Sequence, residues 1–587
     1  MRSTTRIAAL GFAGLLLAAC HHKDKDAPLA FVPADTPYVV ANLDVLDDDT
    51  RKALLAQADA QLPSEIVQLR STADDMAEKD PDASRLLKAI IAELDGKTIE
   101  SFAQNAGLNI KGRSAFYGLG LSPVVRFELV DPKAFDAFVG RLEAAYGKPF
   151  DTATLGGLNY RKHVSADAGL QVVMAVVGKQ AVAALLPADA PEATLRLALG
   201  LDRPAKNLQD DGRLDKLAKD KDYQPWAIGQ VDLARLLPLA AGGKDPLFNA
   251  LIKARAESES AKTGEPVENQ LKVSPSCEGE ATRIAARVPA LSFGYTKLDQ
   301  KHQDIRWDVS LADDITKAFT GLKVELPGLG ASGTAPFDIS LALPVAQLRT
   351  FWAAQAEAVA AKPFTCPSLV ELNDTFAKIG LMAQQAAVPP VGDLLGARVA
   401  LDSFEPGNND SMPKFSGRVV IGTSNPAGLL AMAQTVMPGL QQFKLAADGK
   451  PVAMPPEFTA PLGTPVWAAM GPKALALAVG TGEDAKLGDM LSAASGDAGR
   501  LGRLSLNGDM YQAWVKAMAQ KAEHIAELTA SADANDPDAQ ATAKAAAERS
   551  KAQFESMQAQ AARIKSIGGD IRMDSKGLVI SNQTELK

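Results

Sequence analysis

Three cysteines, five histidines and 70 Asp and Glu side chains are the residues of this 587-residue chain with which chemistry could be done. Their spacing argues against most of it. Cys277 and Cys366 stand in no Cys-x-x-Cys pair and beside no histidine, so nothing in their context activates a thiol for nucleophilic or redox work. In an exported protein they form an even pair and are expected as a disulfide. Closing their loop of 89 residues (366 − 277) would contribute about 4–5 kcal/mol in the chain-entropy account. His163 follows Arg161 and Lys162, the pattern of an exposed basic strand rather than of a general base. His302 falls in the turn Asp299-Gln300-Lys301-His302-Gln303, and His524 in a polar helix. His21 and His22 are two of only five histidines in the chain, too few for a ligand set, so no metal is expected. The chain has no Gly-x-Ser-x-Gly elbow, no His-Glu-x-x-His helix, no phosphate loop and no dinucleotide fingerprint. Gly118-Leu119-Gly120-Leu121-Ser122 is explained by a strand end and a turn. Asp131, Asp245, Asn425 and Asp536 are explained as helix caps. No catalytic residue, metal or cofactor is therefore expected, although so many carboxylates leave a paired-acid hydrolase open.

The remaining cysteine has a different setting. Arg2 and Arg6 precede an apolar run from Ile7 to Ala18, and Leu17-Ala18-Ala19-Cys20 closes it. That is the build of a secretory signal peptide, and the run falls short of the ~20 residues of a spanning helix. Leu-Ala-Ala-Cys resembles the lipobox of bacterial lipoproteins. The resemblance implies cleavage after residue 19, acylation of Cys20 and a permanent hold on a membrane, since stable anchoring takes more than one chain. No Asp follows Cys20 directly, which by similarity to Gram-negative lipoproteins implies the periplasmic face of the outer membrane. Residues 20–31 are then the lipidated cysteine and a short polar tether.

A formal charge of −8 argues against nucleic acid and against electrostatic docking on anionic lipid. An apolar share of 47% is that of a globular body. Few aromatic residues disfavour a carbohydrate platform.

The elements that would position any site occur twice, in the same order. Pro37 to Leu43 and Pro336 to Leu341 are strands leading to helices. Val125 to Leu129 and Val419 to Ile421 are strands leading to Asp131-Pro132 and Asn425-Pro426, each an N-cap with proline at the first helical position. Strand pairs follow at Val172–Gly178 with Ala181–Leu186, and at Val466–Gly471 with Ala474–Val479. Asp245-Pro246 matches Asp536-Pro537, and closing hairpins span 292–311 and 570–582. The expected fold is α+β: a tandem duplication of two modules, 32–312 and 336–587. Each would be a mostly antiparallel sheet with helices on one face. A linker at 313–335 would join them, stapled across by Cys277 and Cys366, and a helical hairpin near Tyr511 to Lys565 would lie toward the end. The opening Phe31-Val32-Pro33-Ala34-Asp35-Thr36-Pro37-Tyr38-Val39, with the strand, Asp-Pro, helix unit, resembles uncharacterised two-lobed envelope lipoproteins. That resemblance carries no activity. The expectation is a non-enzymatic binding or scaffolding lipoprotein, held to a membrane by its lipid anchor and serving an envelope protein partner. The alternatives are a carrier of a lipid or other apolar ligand and, third, the paired-acid hydrolase.

Overall fold

The computed structural model describes residues 24–78, 80–165, 169–263, 275–330, 333–407, 414–532 and 537–587. The signal segment 1–19, Cys20, His21, His22 and Asp536 lie outside them. The fold is mixed α+β and divides into two units. Unit 1 holds Met1–Trp307 with Cys366–Ser368 and Glu548–Ser556, and unit 2 holds Asp308–Thr365, Leu369–Ala547 and Met557–Lys587.

The strands of unit 1 are β1 (Tyr38–Ala41), β2 (Ser114–Leu119), β3 (Ser122–Glu128), β4 (Asp151–Leu155), β5 (Leu158–Ser165), β6 (Leu170–Val177), β7 (Gln180–Pro187), β8 (Ile228–Asp232), β9 (Ala290–Leu298) and β10 (Gln303–Ser310). Their lateral order is β4-β5-β6-β7-β3-β2-β1-β8-β9-β10, antiparallel from β4 to β9. Helix starts follow their capping signals. Asp131 accepts from the backbone N–H of Lys133 and Ala134 and opens the helix Pro132–Tyr146. Asp232 accepts from Arg235 and opens Leu233–Ala241. Asp245 accepts from the N–H of Phe248 at 3.0 Å and, with its other oxygen, from that of Leu121 at 2.7 Å. It therefore caps one helix and pins the β2–β3 turn. Gly120 suits that turn, with φ +58° and room for a Cβ only 2.5 Å from the Asp245 carboxylate.

Helices in unit 1 cover both faces of the sheet, not one as expected. β7 is apolar on both sides. Val182 and Ala184 pack with Leu199 and Leu214 of helices Glu192–Leu199 and Arg213–Lys221. The alternate residue Ala181 packs with Phe135 and Val139 of Pro132–Tyr146. A strand apolar on both faces needs cover on both.

Unit 2 contains β11 (Phe337–Ala342), β12 (Leu394–Glu405), β13 (Lys414–Thr423), β14 (Val452–Ala453), β15 (Val466–Met470), β16 (Ala474–Val479), β17 (Arg500–Asn507), β18 (Ile564–Met573) and β19 (Gly577–Leu586). They are antiparallel throughout, in the order β14-β15-β16-β13-β12-β11-β17-β18-β19. Asn425 caps the helix Pro426–Val436. Two long helices, Gly508–Ala532 and Pro537–Arg563, stand where the helical hairpin was expected.

Two boundaries differ from the sequence reading. The stretch 313–335 is no linker. It forms the helix Asp313–Phe319, and Val324, Leu326 and Leu329 are buried with Leu322, Ala342 and Leu395. Its apolar residues are spaced among Gly and Pro, so composition hides a packed segment. Nor is the tether free as far as residue 31. Pro28–Phe31 is a buried 3-10 turn, and Val32 is fully buried.

Candidate functional site

β11 alternates Phe337, Asp338, Ile339, Ser340, Leu341. In a half-exposed antiparallel sheet such alternation ordinarily turns the apolar residues inward and the polar ones out. β11 does the reverse, and its neighbours bury arginines beside the apolar cluster of Ala400, Val420, Ala476 and Ala478. Asp338, Ser340, Arg398, Arg418 and Arg503 are buried, while Ile339, Leu341, Val419, Ile421 and Leu477 are 36%, 53%, 37%, 38% and 41% exposed.

The buried face is built around Asp338. Arg398 on β12 donates from Nε and Nη2 to its two oxygens at 3.0 and 2.8 Å. Arg503 on β17 lies 3.0 Å from the same carboxylate, and the Gly333 N–H donates to it at 2.8 Å. Burial pushes the Asp338 carboxyl up, but Arg398 and Arg503 more than reverse this and hold it below the usual range. Arg503 also donates from Nε and Nη2 to the Gly328 carbonyl at 3.1 and 2.9 Å, and the Ser340 hydroxyl donates to it at 3.2 Å. These bonds lay the segment around Gly328 over the sheet. Among the described residues, Nη1 of Arg398 and Nη1 of Arg503 have no hydrogen-bond partner. The former is packed against Gly328, where a Cβ would come within 2.1 Å of it. The group is a clamp, filled by the chain itself.

A second cluster shares this face. Arg418 on β13 reaches Asp402 at 2.5 Å and also binds Glu483, and Lys486 bridges the two carboxylates at 2.8 and 2.9 Å. These are the paired acids a hydrolase would need in outline. Two cations neutralise them, however. Burial raises the Asp402 carboxyl, and Arg418 and Lys486 override this and hold it at about 2. A general acid needs the opposite shift. Among the described residues Asp570 is the one carboxyl pushed up, by burial, and Arg500 and Arg572 bind it.

The open face is continuous by register. Ile339 pairs with Val399, Val399 with Val419, Val419 with Leu477 and Leu477 with Ala468. One step along the strands, Leu341, Ala397, Ile421 and Leu475 form a second row. Residues paired across a ladder share a face. With strands ~4.8 Å apart, the floor from β11 to β16 is about 14 Å wide and, over two rows, about 7 Å deep. Helices close two margins. Leu430 and Ala433 of Pro426–Val436 pack with Ala468, and Trp514 of Gly508–Ala532 meets the Phe337 ring at 4.7 Å.

The other sequence candidates are elsewhere and serve structure. Cys277 and Cys366 are joined in a disulfide, with Cα atoms 4.9 Å apart. His163 lies on β5 with its ring 6.3 Å from that of Tyr146. His302 Nδ1 bonds the Asp299 carboxylate at 2.9 Å within its turn. Among the described residues no group of three or more His, Cys, Asp or Glu could hold a metal. No described helix is long and apolar enough to cross a membrane. Sequence reasoning missed Asp338, Arg398 and Arg503. Their signal was present as charged residues inside otherwise apolar strands. The chain matches no family model, no curated protein and no solved structure.

Proposed function

We propose that this is a lipid-anchored protein of the bacterial envelope, tethered through Cys20 at the periplasmic face of the outer membrane. It works by binding rather than catalysis, and its ligand is an aliphatic chain laid across the open face of unit 2. The inverted alternation of β11, continued by the exposed Val419, Ile421 and Leu477 of β13 and β16, carries this reading. Aliphatic residues are left to solvent on a sheet whose polar residues are sealed on the other side. The exposed floor is Ile, Leu and Val, without the Trp, Tyr or Arg anchors that dominate protein–protein hot spots. A hydrocarbon chain asks for no hydrogen bonds and fits such a floor. Covering five half-exposed aliphatic side chains contributes about 1 kcal/mol each. The methylenes that the ligand itself removes from water add a similar amount, and after the costs of association the complex is weak enough to exchange, as a carrier requires.

Duplication supports the division of labour. The order β5-β6-β7-β3-β2-β1-β8-β9-β10 corresponds strand for strand to β14-β15-β16-β13-β12-β11-β17-β18-β19. The Pro37 carbonyl accepts from the N–H of Asp232 at 2.7 Å, and the Pro336 carbonyl from that of Asn507 at 2.7 Å. On this match Val39, Ala41, Ala115 and Ile228 of unit 1 occupy the places of Asp338, Ser340, Arg398 and Arg503. Unit 1 keeps an apolar core there, and the charged clamp belongs to unit 2.

A second reading, scaffolding of an envelope protein, draws on a different surface. Leu381 and Met382 are exposed on helix Glu371–Gln385, which packs against Val345–Ala361 carrying the part-exposed Trp352. Met and Trp are enriched at protein interfaces.

Titration with a fluorescent long-chain fatty acid separates the two. Ile339→Lys and Val419→Lys place charges on the open floor at exposed positions and should weaken binding about tenfold or more, equivalent to ~1.4 kcal/mol. Met382→Lys should leave it unchanged. Equal binding by all variants, or none by the wild type, overturns the carrier reading.

A further inference from the structure

The chain after Cys20 is bound to unit 1 almost at once. The Asp24 carboxylate pairs with Arg113 at 2.7 Å, and its carbonyl accepts from the Gln209 side chain at 3.1 Å. Asp26 pairs with Arg203 at 2.5 Å, and its carbonyl accepts from Gln180. Arg203 also donates to the Lys25 carbonyl. Two guanidinium groups stack on the Phe31 ring, Arg126 at 4.1 Å and Arg203 at 4.6 Å from its centroid. The Val32 carbonyl accepts from the Leu208 N–H at 2.8 Å, and the Ala34 N–H donates to the Lys206 carbonyl at 2.9 Å. Every residue from Asp24 to Ala34 is thus within a short run of a fixed contact.

Only four peptide steps separate Cys20 from Asp24. Four residues at full stretch span about 14 Å. Resting on the anchoring of Cys20, we infer that unit 1 is pressed to the bilayer in one orientation. Its contact surface is the surround of Asp24: the loop carrying Arg113, the loop carrying Arg203 and Lys206, and the short helix Leu208–Asp211. A free tether of a dozen residues would leave the body to tumble; a four-residue leash, docked at its far end, does not.

The charge of this surface fits lipid headgroups. Four of its acids are engaged, Asp24 and Asp26 by Arg113 and Arg203, Asp202 by Arg196 at 2.8 Å, Asp210 by the Asn207 side chain at 2.8 Å, while Asp211 is exposed at the end of the short helix. Lys25 and Lys206 are exposed there, positioned to meet headgroup phosphate oxygens within a Debye length. The net acidity of the chain does not oppose this, because only the charges near the leash are close enough to act.

The test uses full-length protein recovered from membranes and reconstituted in phosphatidylethanolamine–phosphatidylglycerol vesicles with a headgroup-attached paramagnetic quencher. One fluorophore is placed at a time, by Lys206→Cys beside the leash or Asp189→Cys beyond the far end of β7, about 23 Å along the strand from Gln180. Fluorescence should be quenched severalfold more at position 206 than at 189. Ten glycine and serine residues inserted between Lys23 and Asp24 should abolish the difference. An intact mass without acyl chains on Cys20 overturns the anchor and the orientation together. Acylated protein quenched equally at 206 and 189, or unaffected by the insertion, overturns the orientation alone.

Discussion

Asp402 is held ionised by Arg418 and Lys486 against the cost of its burial. Its carboxyl titrates at about 2 in the folded protein, against 3.8 ordinarily. The ionised form therefore stabilises the fold above pH 4, and that contribution is lost as the pH falls from about 4 toward 2. Nearly two pKa steps correspond to about 2 kcal/mol at full strength, and solvent screening of this partly exposed cluster reduces that to about 1 kcal/mol. Asp402→Asn should be less stable than the wild type at pH 7 by roughly that amount and should lose correspondingly less on going to pH 2. Urea unfolding followed through tryptophan fluorescence at both pH values measures it. An identical acid dependence in the two proteins would mean that Asp402 adds nothing. The same side chain illustrates why a pair of carboxylates is weak evidence for hydrolysis: what matters is which charges stand beside them.

At the scale of elements, the decisive contact is the segment around Gly328 on the sheet. Gly328 has φ +86°, and a Cβ there would meet Arg398 Nη1 at 2.1 Å. Gly328→Ala should therefore both strain the backbone and unseat the guanidinium that neutralises Asp338, for a loss of about 3 kcal/mol. Gly488→Ala, in the helix Leu487–Ser492 with nothing within 4 Å of its added carbon, should leave the melting temperature level or raise it slightly. If the two variants melt alike, the clamp is not what seals the charged face. Much of the element order was readable beforehand. The pair 466–470 and 474–479 and the caps Asp131, Asp245 and Asn425 stand where the sequence placed them, because caps and short apolar runs are local signals. What was not readable is long-range. Alternation tells which side chains share a face but not which face is inward, and that was decided by charges 60 residues apart at Asp338 and Arg398. The same holds for 24–31, read as tether from its polarity, whose docking depends on Arg113, Arg203 and Gln209 far along the chain.

At the scale of the whole molecule, the cysteines connect fold to compartment. Cys277 lies in the helix Pro275–Ala285, and the Cys366 N–H donates to the Glu280 carboxylate at 3.0 Å. Both sulfurs are buried, and the bond closes a loop of 89 residues that contains β9, β10, β11 and the helix Val345–Ala361. Cross-linking so long a loop acts chiefly on the unfolded chain, for 2–5 kcal/mol in practice. In a reducing cytosol the bond would not persist, whereas the compartment implied by the lipobox favours it. Protein made with its first 19 residues and recovered from the envelope should therefore show no titratable thiol at 277 or 366. The same chain made without them in the cytosol should show both, in addition to the unacylated Cys20. Its melting temperature should be lower by about 5–15 °C, at 2–4 °C per kcal/mol for units of this size, and Cys277→Ser with Cys366→Ser should reproduce the drop in exported protein. Equal melting of the oxidised and double-serine forms would show that the bond is incidental to stability. Free thiols in the exported protein would argue that the chain does not meet an oxidising compartment, and with it the envelope assignment would fall.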